Sequence, residues 1–119
     1  MPNQQAALDT VFRALADPTR RAVVQRLSRG PASVTELAEP FEMALPSFLQ
    51  HLKVLEMSGL VRSKKSGRVR TCEIAPEQLA VAEHWIGKQR EIWAGRLDRM
   101  EDVINKLRAG AAPDGQSRR

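Results

Sequence analysis

The sequence predicts a mainly α fold with one small two-stranded β-hairpin and a long final helix. Three observations predict it. Apolar residues recur at helical spacing through the first 57 positions and again from Leu79 to Leu107. A short alternating stretch, Leu60 to Ile74, is centred on Ser66-Gly67 and reads as two strands around a tight turn. That stretch also holds Arg62, Lys64, Lys65, Arg68 and Arg70 against the single acid Glu73, so it carries +4 of the chain's net +5. The residues before it and residues 76–109 each balance to zero.

At 119 residues with 42% hydrophobic content, the chain fits one globular domain over 1–109, followed by a polar tail at 110–119 that is expected to be disordered. No apolar run reaches the ~18 residues of a membrane span, and the first residues lack a basic-then-apolar leader. No membrane partner is expected, and the single cysteine fits a reducing, cytoplasmic setting. With three Phe, two Trp and no Tyr, the chain has few rings on which to stack single-stranded bases. Duplex DNA makes no such demand. Its phosphates match a charge confined to one short segment.

Helix one is expected over 5–16, with Ala7, Leu8, Val11, Phe12 and Leu15 on one face. Asp17 caps helix two and Pro18 fills its first position, where a missing N–H costs nothing. That helix runs to about Ser28, turning Val23, Val24 and Leu27 inward and leaving Arg20, Arg21 and Arg26 in solvent. Ser33 and Glu36 form a capping box, so helix three begins there and runs to about Phe41. Glu42-Met43-Ala44 connects it to helix four, which spans Leu45 or Pro46 to Met57 with Gly59 as its stop. Two short helices across so tight a turn, with a basic hairpin behind them, predict a winged helix-turn-helix.

Helix four can be phased. Phe48, Leu52 and Leu55 lie within about 60° of one another at ~100° per residue and form the core face. Pro46, Gln50, Lys53 and Met57 lie opposite, Ser47 and Val54 toward one flank. The N-terminal end of such a helix enters the major groove, so Ser47 and Gln50 are candidates for base edges and Lys53 for phosphate. His51 and Leu49 sit on the boundaries. His51 either bonds internally or touches DNA; Leu49 either pads the core edge or meets a thymine methyl. Thr35, Pro46, Ser47, Gln50, His51, Lys53, Arg62, Lys64, Lys65, Arg68 and Arg70 make up the expected DNA-contact set.

Other chemistry finds little support. Ser47, His51 and Glu56 share helix four but form no triad by spacing alone, and there is no glycine-rich phosphate loop. No enzyme is expected. His84 has Glu83 beside it but no second imidazole near enough for a zinc site, and no cofactor is expected. Cys72 alternates with Ile74 and faces inward as a small buried hydrophobe; the alternative is a redox role, for which Arg68 and Arg70 would lower its pKa but a second, resolving thiol is usually needed.

The last helix is expected from Pro76 to Ala109, stopped by Gly110. Leu79, Ile86, Trp93, Leu97, Met100, Ile104 and Leu107 form a stripe, with gaps of four and three from Trp93 onward. About 50 Å of helix at 1.5 Å per residue exceeds what a small winged domain covers. A symmetric homodimer is therefore expected, with Leu8, Val11, Phe12, Ile86, Trp93, Leu97, Met100 and Ile104 at its interface. Two reading helices would then meet a palindromic operator with half-sites about 34 Å apart.

The segments Ala14-Leu15-Ala16-Asp17-Pro18-Thr19-Arg20-Arg21, Glu36-Leu37-Ala38, Gln50-His51-Leu52-Lys53-Val54-Leu55 and Ser58-Gly59-Leu60-Val61 resemble the ArsR-type winged helix-turn-helix regulators in order and spacing over about residues 7–75. The resemblance implies a homodimeric transcription regulator, usually a repressor, whose DNA affinity an effector or modification alters. Two departures matter. Members often carry Ser at the position of Leu49, so the family's operator preference does not transfer. The Cys-x-Cys pair of arsenic- and cadmium-sensing members is replaced by Ala38-Glu39-Pro40, so that metal site is missing and the effector is unknown. A non-specific architectural DNA protein and a protein-interaction module are the competing readings.

Overall fold

The computed structural model describes residues 4–111; the expected disordered tail lies, from residue 112 onward, outside them. Contacts divide the chain into two compact units, one ending at Glu83 and the other beginning at His84.

The first unit is built in the expected order. Helix α1 spans Gln4–Leu15 and α2 spans Pro18–Leu27. The Asp17 carboxylate accepts from the Arg20 backbone N–H at 3.1 Å and caps α2. Strand β1, Ala32–Ser33, leads into α3, Val34–Ala38. There the capping box is complete: Ser33 N–H donates to Glu36 Oε1 at 2.8 Å and Glu36 N–H donates to Ser33 Oγ at 3.1 Å. Helix α3 ends three residues before the expected Phe41, because Pro40 has no N–H to continue the ladder. Phe41 still serves the fold, stacking on Phe48 with ring centroids 5.6 Å apart.

Helix α4 spans Leu45–Met57. It ends in a Schellman motif: Leu60 N–H donates to Leu55 C=O and Gly59 N–H donates to Glu56 C=O, both at 3.1 Å, with Gly59 at φ +80°. A Cβ on Gly59 would also stand 2.8 Å from Cγ of Gln78. Strands β2, Val61–Ser66, and β3, Val69–Ile74, form the hairpin. Ser66 pairs with Val69, so the turn residues are Gly67 and Arg68 rather than Ser66 and Gly67. Gly67 takes φ +62°, which a two-residue hairpin turn requires at that place.

The sheet has three strands, not two. β1 pairs antiparallel with β3, Ala32 opposite Cys72 and Ser33 opposite Thr71, in the order β1-β3-β2. A two-residue strand carries no periodicity, so the sequence offered no signal for it.

The core gathers Phe48, Leu52 and Leu55 of α4 with Val23 and Leu27 of α2, Leu37 of α3, and Leu60, Val61 and Cys72 of the sheet. Val11 and Ala14 bring α1 into it, and Leu79 and Ala82 bring the start of α5, Pro76–Ala111. Val11, expected at a dimer surface, is 0% exposed and belongs to this core; the helical stripe it shares with Leu8 and Phe12 is wide enough that its centre faces inward. Phe12, at the stripe's edge, is 38% exposed. α5 continues two residues past the expected end, carrying Gly110 within the helix. In the second unit Ile86, Trp93, Leu97, Met100, Ile104 and Leu107 are all exposed.

Candidate nucleic-acid interface

Helix α4 supplies a rigid base for a surface site, because three of its residues are locked in the core. The same phase that buries Phe48, Leu52 and Leu55 leaves Pro46, Ser47, Gln50, Lys53 and Met57 exposed. Thr35, in the first turn of α3, is exposed as well. Pro46 occupies the first turn of α4, and the helix has no side-chain cap. Pro46 has no N–H, and the Ser47 and Phe48 N–H groups donate to Ala44 C=O, so this end offers the exposed Ser47 hydroxyl to phosphate and base edges.

His51 has an internal role. Arg20 Nη1 donates to His51 Nδ1 at 3.1 Å, and Asp17 Oδ2 lies 3.7 Å from the same nitrogen. Arginine has only donors, so Nδ1 is the acceptor in this contact. Arg20 also donates through Nε to Ala14 C=O at 2.6 Å and through Nη2 to Arg13 C=O at 3.1 Å. Read from sequence as solvated, Arg20 instead satisfies carbonyls at the end of α1, which lack intrahelical donors, and ties that end to the reading helix. Desolvation works against ionised Asp17. The Arg20 N–H, the nearby His51, the Thr19 N–H and the Arg20 charge outweigh it and hold the carboxyl below its ordinary value. Glu36 is lowered too, first by the Ser33 backbone N–H and then by its hydroxyl.

The hairpin divides its cations into paired and unpaired. Arg62 lies opposite Glu73 across the strands and donates to its Oε2 at 3.1 Å, with Glu77 Oε1 3.9 Å away. Arg70 donates through Nη2 to Glu56 Oε2 on α4 and through Nε to Ser63 Oγ at 3.2 Å, while Ser63 Oγ–H donates to the same Glu56 oxygen. Two of the five wing cations thus have carboxylate partners. Lys64, Lys65 and Arg68, around the turn, are exposed and have no ion pair among the described residues. The Arg70–Glu56 contact was not visible in the sequence because its partners lie 14 positions apart on different elements. It fixes the wing to the flank of the reading helix.

Cys72 is buried, and burial pushes its thiol up. Glu56 adds to that shift and Arg70 opposes it without prevailing, so the thiolate is not favoured as the arginine-rich sequence had suggested. Among the described residues no cluster of three or more His, Cys, Asp or Glu is placed to hold a metal ion. No described helix is long and apolar enough to cross a membrane.

A helix-turn-helix domain family matches residues 15–64, which run from the end of α1 through α4 into the first wing strand. The chain is 44% identical over 72 residues to the HTH-type transcriptional regulator Rv2034 of Mycobacterium tuberculosis, covering 60% of this chain and 67% of that protein. It is 31% identical over 61 residues to the transcriptional repressor SdpR of Bacillus subtilis, covering 51% and 68%. A crystal structure of an ArsR family transcriptional regulator superposes with a TM-score of 0.73 at 55% identity, covering 79% of this chain and 97% of that one. With the helix pair, the wing and the charge pattern all in place, the chain belongs to the ArsR family of winged helix-turn-helix transcriptional regulators.

Proposed function

We propose that the protein is a sequence-specific repressor of transcription that binds duplex DNA as a symmetric homodimer. α4 enters the major groove, with Ser47 and Gln50 at base edges and Lys53 at phosphate, and Thr35 and Pro46 lie against the strand at its entry. Lys64, Lys65 and Arg68 at the wing tip take the flanking backbone, and Arg62 and Arg70 hold the wing in shape. The observation that carries this reading is the contrast within the hairpin: Arg62 and Arg70 are paired with carboxylates, while Lys64, Lys65 and Arg68 around the turn have no ion pair among the described residues. A solvated surface needs no such sorting. A phosphate backbone rewards it through released counterions.

The dimer rests on apolar residues of each unit that are exposed or, for Leu8, half-buried. Leu8 and Phe12 contribute from the first, and Ile86, Trp93, Leu97, Met100 and Ile104 from the second. Two copies related by a twofold axis call for a palindromic operator with half-sites near 34 Å apart. SdpR is named a transcriptional repressor, which supports the direction of regulation. Such a protein works where chromosomal DNA is, in the cytoplasm.

The test is binding to DNA from the protein's own upstream region against random competitor, at two salt concentrations. Preference for its own DNA at both is the expected result. Tight binding without preference would mark an architectural protein. No binding at either would point to a protein partner for the wing.

A further inference from the structure

Three apolar side chains interrupt the polar surface beside the reading helix. Leu45 and Leu49 of α4 and Val69 of β3 are 54%, 36% and 52% exposed. They line one hollow of about 310 Å³, together with Thr35 of α3 and Arg68 and Arg70 of the wing. Leu45 and Leu49 are one turn apart, so they stack along one side of α4. That side also carries Glu56, to which Arg70 is bonded, so it faces the wing. Leu49 lies outside the buried core cluster. It stands at the edge of the outer face, next to Gln50.

Exposed leucines in a hollow are unfavourable in water and gain when covered. Charge limits what covers these. No acid lines the hollow; Arg68 there has no ion pair among the described residues, Arg70 is offset by Glu56, and Lys64 and Lys65 lie just along the hairpin. The complement is a strongly anionic surface that presents small apolar groups. The major groove of duplex DNA is such a surface where it displays the C5-methyl of thymine.

We propose that Leu49, supported by Leu45 and Val69, is a specificity-determining residue that reads thymine methyl groups in the operator. The inference rests on the reading of α4 as the major-groove helix. It assigns a base preference where Leu49 stands in place of the serine often found in related regulators.

The test begins by selecting preferred duplexes from a random-sequence library with the full chain. Each thymine of the selected site is then replaced singly by deoxyuridine, which removes the methyl and leaves every hydrogen-bonding edge unchanged. At one or two positions per half-site, affinity should fall about fourfold, the worth of one buried methyl-sized group. Leu49→Ser should remove that sensitivity and relax the preference there, and Leu49→Met should keep both. Leu49 is exposed, so neither variant threatens the fold. Equal binding of deoxyuridine and thymine at every position would overturn the proposal while leaving a sequence-specific regulator intact. So would an undiminished deoxyuridine penalty in Leu49→Ser. A library that yields no preferred sequence would defeat the regulator reading itself, and this proposal with it.

Discussion

Asp17 does two jobs with one carboxylate: it caps α2 and lies beside His51 of α4. Asp17→Ala should cost about 1 kcal/mol of stability, the worth of an N-cap, and Asp17→Asn should recover most of it in denaturant melts. The carboxyl is held below its ordinary value, so its contribution is complete above about pH 4 and is lost as the pH falls through the folded-state value. The Ala variant should therefore show a flatter acid limb than the parent. Gly59 is constrained twice, by φ +80° and by Gln78. Gly59→Ala should cost at least the ~1–2 kcal/mol of a left-handed non-glycine residue, read as a lowered unfolding midpoint. Both residues were legible, because caps and stops are written locally. Arg20 was not. A charged side chain on a helix is solvated by default, and only the end of α1 and a ring 31 positions away give it partners.

At the scale of the element, the hairpin shows what a charge count misses. Its net charge was correctly placed, but the structure divides the five cations into two braced by carboxylates and three at the turn. The slope of log affinity against log salt should accordingly flatten by about 0.9 for each phosphate contact removed when Lys64 and Lys65 are changed to alanine, with little change in sequence preference. Arg62→Ala should flatten it less, since Glu73 already offsets that charge. A fluorescence titration across salt concentrations separates the two. Helix α4 was legible to within one residue at its start because its apolar phase is regular. The third strand and the one-residue shift of the turn were not. Both depend on pairing with a distant chain segment, for which a two-residue strand and a Ser-Gly-Arg sequence hold no local signal.

For the whole molecule, the winged domain could be assembled from the sequence, but the boundary between inner and outer residues of α1 could not. Ala7, Leu8, Val11, Phe12 and Leu15 make one stripe, and only packing decides that Val11 is core while Phe12 stays partly exposed. The proposed dimer draws on such partly exposed positions and on the apolar residues of the second unit. Sedimentation at micromolar concentration should give twice the chain mass, and Leu97→Glu should shift it toward monomer. Operator affinity should fall with it, because each half-site would then bind alone. A single monomeric species in the unaltered protein would remove the dimer and the palindrome together.

Glu56 belongs to the reading helix yet holds Arg70 of the wing. In the proposed complex, base recognition and backbone grip would share this joint, and their energies would not be separable. In a double-mutant cycle on operator binding, Arg70→Ala and Gln50→Ala should couple by more than the ~0.5 kcal/mol seen for independent positions, although the polar partners of Arg70 are Glu56 and Ser63. Substitutions in the wing of this chain that never reach a base would then shift its operator preference.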